Sequence, residues 1–86
     1  MKEIKFFMMS SCPHCKKAIE MMDEILAAHP EYKEIPFKQV DERLDPEYAA
    51  EFDYYYVPTF YVGDEKLHEG VPSKQAVMNV FVKAYE

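Results

Sequence analysis

The chain has 86 residues, a formal net charge of −6 and 49 % apolar residues, which suits one small domain with an aromatic-rich core. No apolar stretch approaches the roughly 20 residues of a membrane span, and a net anion is repelled by the phosphates of nucleic acid. The first three residues are not followed by the apolar segment of an export signal, so we expect the protein to be located in the cytoplasm. We expect a single domain, residues 1–86, that is monomeric and has no membrane or nucleic-acid partner.

The first predicted elements are a strand and a helix separated by two serines. Residues Glu3 to Met9 indicate a strand whose second half is apolar on both faces, as in a central strand. From Pro13 onward, apolar residues recur at three- and four-residue steps, which predicts a helix that ends at His29-Pro30. Pro13 suits the first helical position because its missing N–H would have no partner there.

A second strand and a short helix follow. The segment from Ile35 to Asp41 indicates a strand, and Pro36 near its start favours an edge position in the sheet. Asp45 followed by proline is a helix start signal, which predicts a short helix through about Phe52.

The remaining third of the chain indicates a hairpin and a last helix. Thr59–Val62 and Glu65–Glu69 predict two strands around a Gly-Asp turn, and Ser73 is expected to cap the final helix. The resulting order, βαβαββα, predicts an α/β fold with a four-stranded mixed sheet and helices on both faces. Its first two strands are expected to be parallel, because a helix connects them.

The two cysteines of the chain, Cys12 and Cys15, lie where the first strand gives way to the first helix. A disulfide between residues so close in sequence stabilises the fold only slightly, because it closes a very short loop. The pair is therefore expected to take part in a reaction or to bind a ligand. Cys12 falls at the helix N-cap, where free N–H groups and the helix dipole favour negative charge, so its thiol is expected to ionise readily and to act as the nucleophile. Cys15, one turn further on, is expected to be shielded and to resolve a mixed disulfide formed at Cys12.

Two alternatives concern the residues of this motif. A positive charge on His14 would stabilise the Cys12 thiolate and raise the reduction potential; otherwise His14 is an exposed residue without effect. The cysteines could also hold a metal ion or an iron–sulfur cluster, but a closed zinc site needs four ligands. That second interpretation therefore requires a dimer that brings two pairs together.

The motif Cys12-Pro13-His14-Cys15, the later Val57-Pro58 and the order βαβαββα together resemble the glutaredoxins, the smallest proteins of thioredoxin-like fold. The resemblance implies a dithiol thiol–disulfide oxidoreductase without a bound cofactor, whose partners are disulfide-containing proteins or glutathione mixed disulfides. It also implies that Pro58 is a cis-proline facing the cysteines, that the Val57 backbone pairs with substrate, and that Pro13 and Gly70 line the substrate site.

The chain departs from the glutaredoxin pattern in two places. Val71-Pro72-Ser73 follows Gly70, so the second glycine and the acidic residue of the family's glutathione-binding segment are absent. Met9 stands where many glutaredoxins have a lysine. Two electron donors therefore remain as alternatives, glutathione and a flavoprotein reductase.

Three consecutive tyrosines, residues 54 to 56, precede the predicted cis-proline. Tyrosine offers a rigid contact surface at low entropic cost, so these side chains could form a docking rim around Cys12. Ordinary partial burial against the core is the alternative.

Overall fold

The computed structural model describes residues 1–86, and its α-helices and strands follow the predicted order, with one additional 3₁₀ helix that was not predicted. They are β1 Ile4–Met8, α1 Pro13–Ala28, a 3₁₀ helix Pro30–Glu34, β2 Phe37–Asp41, α2 Pro46–Ala49, β3 Thr59–Val62, β4 Glu65–Glu69 and α3 Lys74–Tyr85. None of the helices combines the length and the apolar character that crossing a bilayer requires.

Strand β1 is one residue shorter at each end than predicted. Two further boundaries differ by two residues or more, and both are explained by backbone hydrogen bonds. Strand β2 begins at Phe37 rather than Ile35, because the Ile35 N–H donates to the Tyr32 carbonyl and closes the 3₁₀ turn. Helix α2 ends at Ala49 rather than near Phe52. The Phe52 N–H donates to the Ala49 carbonyl, three residues back, so the chain continues as a tighter turn.

The sheet has the strand order β2-β1-β3-β4, which makes β1 a central strand and β2 an edge strand, as predicted. Strand β1 pairs parallel with β2 and antiparallel with β3, and β3 pairs antiparallel with β4. The predicted mixed sheet is therefore confirmed. Because β1 and β2 are parallel and Met8 lies opposite Asp41, the segments that follow both strands leave the sheet at the same edge.

Helices cover both faces of the sheet, as predicted, and each face has its own core. Under α1 and α3 lies the larger core, in which the rings of Phe6 and Phe60 stack with their centroids 4.8 Å apart. Under α2 lies a smaller core formed by Phe7, Val40, Ala49 and Tyr61. Val57 packs against both cores, so the loop that carries it is anchored on both sides of the sheet.

Candidate active site

Cys12 caps the N-terminus of α1, as the sequence predicts. Its backbone is extended, its Sγ accepts a hydrogen bond from the Cys15 N–H at 3.3 Å, and Pro13 occupies the first helical turn. The Cys12 carbonyl accepts the first helical hydrogen bond, from the Lys16 N–H at 3.2 Å. The sulfur therefore lies at the positive end of the helix dipole, in contact with an N–H donor, and both features stabilise a thiolate.

Cys15 is fully buried in the larger core, whereas Cys12 is partly exposed. Burial raises the pKa of the Cys15 thiol to about 12, and its hydrogen-bonded neighbour Cys12 adds to this. Both cysteines are free thiols in this structure. In the reduced protein Cys15 therefore keeps its proton, which leaves the accessible Cys12 as the sulfur placed to attack a substrate.

A loop just before β3 faces the cysteines. The Val57–Pro58 peptide bond is cis, and the Val57 carbonyl oxygen lies 3.9 Å from Cys12 Sγ. Gly70 lies beside the same loop, because its N–H donates to the Pro58 carbonyl at 2.9 Å. Its φ of +94° is in the left-handed region that favours glycine. The structure thus brings together Cys12, Val57, Pro58 and Gly70.

His14 and Pro13 are exposed at the start of α1. The His14 side chain makes no hydrogen bond and no ion pair within the chain. Its position next to Cys12 is the one the sequence indicates, and its effect on the reduction potential stays a prediction.

The carboxylate of Glu69, a residue not singled out from the sequence, holds the loop before Val57. It accepts hydrogen bonds from the backbone N–H groups of Tyr55 and Tyr56, the latter at 2.9 Å, and forms an ion pair with Lys66 at 2.8 Å. These partners, Lys66 first, lower the pKa of Glu69 from 4.5 to about 2. The signal that could have revealed Glu69 is its place at the end of β4, immediately before Gly70.

Neutralising Glu69 is expected to loosen this loop and to remove a pH-dependent part of the stability. Because the pKa of Glu69 is lower in the folded chain, its contribution is complete above about pH 4.5 and disappears as the pH falls towards 2. Urea unfolding of Glu69→Gln should therefore give a lower free energy of unfolding than wild type at neutral pH, and the two should converge near pH 2. Glu65→Gln, at the exposed start of β4, is the matched control and should follow wild type. A constant offset between Glu69→Gln and wild type at every pH would contradict this assignment.

The three tyrosines differ in burial. Tyr54 is partly buried, with its ring 4.9 Å from that of Phe7, whereas Tyr55 and Tyr56 are 86 % and 70 % exposed. A docking rim formed by the two exposed tyrosines stays a prediction. The Tyr54 hydroxyl donates to Glu42 Oε1 at 2.7 Å, and burial together with this carboxylate raises the Tyr54 pKa. The sequence did not predict Glu42 as a site residue. It directly follows β2 and so lies at the sheet edge where β1 ends.

The difference between the two thiols predicts selective alkylation. In native reduced protein, iodoacetamide is expected to modify Cys12 rapidly and to leave Cys15 unmodified, because Cys15 is buried and keeps its proton. Mass spectrometry after a short pulse should show a single adduct, with a second appearing only in denaturant. Cys12→Ser should show no adduct until it is unfolded. Equal modification of both cysteines in the native state would contradict the assignment.

A group of three or more His, Cys, Asp or Glu side chains that could hold a metal ion is absent from the chain. A metal or cluster site built on Cys12 and Cys15 would therefore need further ligands from outside this chain, as in the dimer considered for such a site from the sequence.

The fold and this site define a class: a small α/β domain of thioredoxin-like fold with a Cys-x-x-Cys pair opposite a cis-proline. A family model described as "Thioredoxin domain" matches residues 2–82, so the chain belongs to the thioredoxin domain family. It is 28 % identical over 81 residues to a thioredoxin of Methanocaldococcus jannaschii, covering 94 % of this chain and 93 % of that protein.

Solved structures agree on the fold. The reduced form of desulfothioredoxin from Desulfovibrio vulgaris Hildenborough matches with a TM-score of 0.67 and 26 % identity, over 95 % of this chain and 80 % of that one. Oxidised thioredoxin O1 from Arabidopsis thaliana matches with a TM-score of 0.71 and 19 % identity, over 100 % and 79 %. These findings confirm the predicted thioredoxin-like fold. Family membership and the capped cysteine pair together indicate thiol–disulfide oxidoreductase chemistry.

Proposed function

We propose that this chain is a dithiol thiol–disulfide oxidoreductase of the cytoplasm that reduces disulfides in proteins or mixed disulfides with glutathione. Cys12 is the nucleophile and Cys15 the resolving cysteine. The observation that carries the proposal is the environment of Cys12 Sγ. It accepts the Cys15 N–H at the start of α1 and lies 3.9 Å from the carbonyl oxygen of Val57, at the surface of the domain.

The reaction is a two-step exchange. The Cys12 thiolate attacks one sulfur of the substrate disulfide, that S–S bond breaks, and the second substrate sulfur leaves as a thiolate. Cys15 then passes its proton to the substrate thiolate released in the first step, and its sulfur attacks Cys12 Sγ. The Cys12–Cys15 disulfide forms while the first substrate sulfur leaves as a thiolate. The substrate has gained two electrons, and the protein must regain two from an outside reductant.

The loop opposite Cys12 supplies the means of holding a peptide substrate. Val57 lies outside the strands and takes part in no hydrogen bond between backbone groups. Its N–H can therefore pair with the main chain of an extended substrate beside the reacting sulfur, and its C=O, which Cys12 Sγ approaches in the free protein, can accept from that substrate as well. The Gly70 N–H donates a hydrogen bond to the Pro58 carbonyl, and because glycine has no side chain, the surface beside the Val57–Pro58 loop stays open at this position.

The proposed electron donor is glutathione, as the glutaredoxin resemblance implies, with a flavoprotein reductase as the alternative. Gly70 beside the Val57–Pro58 loop supports glutathione. The segment Val71-Pro72-Ser73, which carries no acidic group for the glutathione amine, favours the reductase.

A turnover assay tests the function and separates the donors. The substrate is a cysteine peptide in mixed disulfide with glutathione, and NADPH oxidation is followed with glutathione plus glutathione reductase, or with thioredoxin reductase alone. Turnover in either assay supports the function, and the assay that turns over identifies the donor. The proposal fails if neither turns over and protein reduced with dithiothreitol does not release glutathione from the peptide stoichiometrically.

The equilibrium constant of the Cys12–Cys15 couple against glutathione tests the role of His14. His14→Tyr is expected to lower the reduction potential, because it removes a side chain that can place positive charge beside the Cys12 thiolate. His29→Tyr makes the same change at the other end of α1 and should leave the potential unchanged. An unchanged or higher potential in His14→Tyr would exclude the proposed role.

A further inference from the structure

An open pocket of about 280 Å³ lies on the α2 side of the sheet, next to the loop that leads to Val57. Its walls include the rings of Phe52, Tyr54 and Tyr55, together with small side chains of α2. Glu42 is its one charged lining residue. The pocket is therefore an aromatic recess with a single carboxylate.

Two features of the fold connect this pocket to the cysteine site. The Glu42 N–H donates to the carbonyl of Met8, the last residue of β1, from which the chain runs directly to Cys12. On the other side, Tyr54 and Val57 pack against the same small core. The charge of Glu42 also contributes to the raised pKa of Cys15, which agrees with this proximity. A substrate chain paired with Val57 would thus pass beside the pocket.

The Glu42 carboxylate is oriented but not neutralised. Tyr54 donates to Oε1, while Oε2 accepts no hydrogen bond and no cationic side chain pairs with the group. Arg43, the next residue, is exposed and makes no ion pair. A fixed carboxylate with one free oxygen, in a pocket lined by aromatic residues, is complementary to a cation: the oxygen accepts a charge-assisted hydrogen bond and the rings attract positive charge.

We propose that this pocket is a specificity subsite for a cationic side chain, arginine above all, that lies near the disulfide of the substrate polypeptide. Arginine fits better than lysine, because its planar guanidinium stacks on aromatic rings while donating to a carboxylate. The net charge of −6 also favours the approach of substrates that carry positive charge. The inference rests on the proposed function and adds the substrate class.

The test uses peptides that carry one cysteine in mixed disulfide with thionitrobenzoate, whose release is coloured. Four series place arginine, lysine, glutamine or glutamate at each of the two residues on either side of the cysteine. With wild-type protein reduced beforehand by dithiothreitol and then freed of it, we expect the second-order rate constant of thionitrobenzoate release to fall in the order arginine, lysine, glutamine, glutamate at one of these positions. The ratio of arginine to glutamine should be about five- to tenfold and should shrink with added salt.

Glu42→Gln keeps an acceptor for Tyr54 but removes the charge, so the arginine-to-glutamine ratio should approach one within that variant. Glu47→Gln removes the same charge from an exposed position of α2 outside the pocket and should keep the wild-type ratio. The inference is overturned if wild type shows equal rate constants for the arginine and glutamate peptides at all four positions, or if Glu42→Gln keeps the preference. The comparison of arginine with glutamate peptides on wild-type protein tests the inference even if Glu42→Gln does not fold. Failure to reduce any peptide would instead refute the proposed function.

Discussion

Cys12→Ser is expected to reduce turnover of every disulfide substrate to the rate of uncatalysed exchange, because it removes the one accessible sulfur of the site. A serine hydroxyl at the N-cap preserves the hydrogen bond from the Cys15 N–H, so the helix start and the fold should persist. The loss of turnover therefore reflects the missing Cys12 thiol and not unfolding of the protein. NADPH-coupled turnover of the peptide mixed disulfide measures it, with circular dichroism as the check on folding.

Cys15→Ser is the informative counterpart, because it leaves the nucleophile but removes the resolving sulfur. We expect this variant to accumulate a covalent adduct between Cys12 and the peptide, detectable by mass spectrometry without reductant. Ser10→Ala, in the exposed turn before the motif, should behave as wild type in both assays. Full turnover by Cys12→Ser, or a trapped adduct on Cys15 of that variant, would refute the assignment of roles.

The second large effect concerns stability. Phe7→Ala is expected to lower the free energy of unfolding by about 3 to 5 kcal/mol, as is typical for a fully buried phenylalanine. The Phe7 ring is 0 % exposed and lies 4.8 Å from Phe52, 4.9 Å from Tyr54 and 5.8 Å from Tyr61, measured between centroids. Such a loss is a large fraction of the stability of a small domain. Chemical denaturation monitored by circular dichroism measures it.

Tyr55→Ala provides the matched control, because it also truncates an aromatic residue but at an 86 % exposed position. Its effect on the free energy of unfolding should stay within about 0.5 kcal/mol. If the two variants lost similar amounts of stability, the small core under α2 would not contribute to stability as its burial implies.

Much of the fold followed from local patterns. The two-sided apolar strand predicted the central position of β1, and Pro36 predicted the edge position of β2; both are confirmed. The caps at Cys12, Asp45 and Ser73 start helices as predicted. The boundaries that shifted, at Ile35 and near Phe52, depend on single hydrogen bonds to carbonyls three residues back, which residue type does not specify.

The candidate site was accessible to sequence reasoning only in part. The spacing of Cys12 and Cys15 at a strand-to-helix junction indicated the chemistry, and the family resemblance, rather than any pattern in the residues, indicated Val57, Pro58 and Gly70. Glu42 and Glu69 were missed. In sequence each is one acidic residue among sixteen, and its partners are found only in the folded chain.

The sequence alone determined that a sulfur stands at the start of the first helix, because capping, proline placement and apolar periodicity act over a few neighbouring residues. The tertiary structure alone decided what surrounds that sulfur. Cys12 and Val57 are 45 residues apart, and Tyr55 and Glu69 are 14 apart. Such contacts depend on sheet register and on the paths of loops between strands, and both arise from the packing of the whole domain.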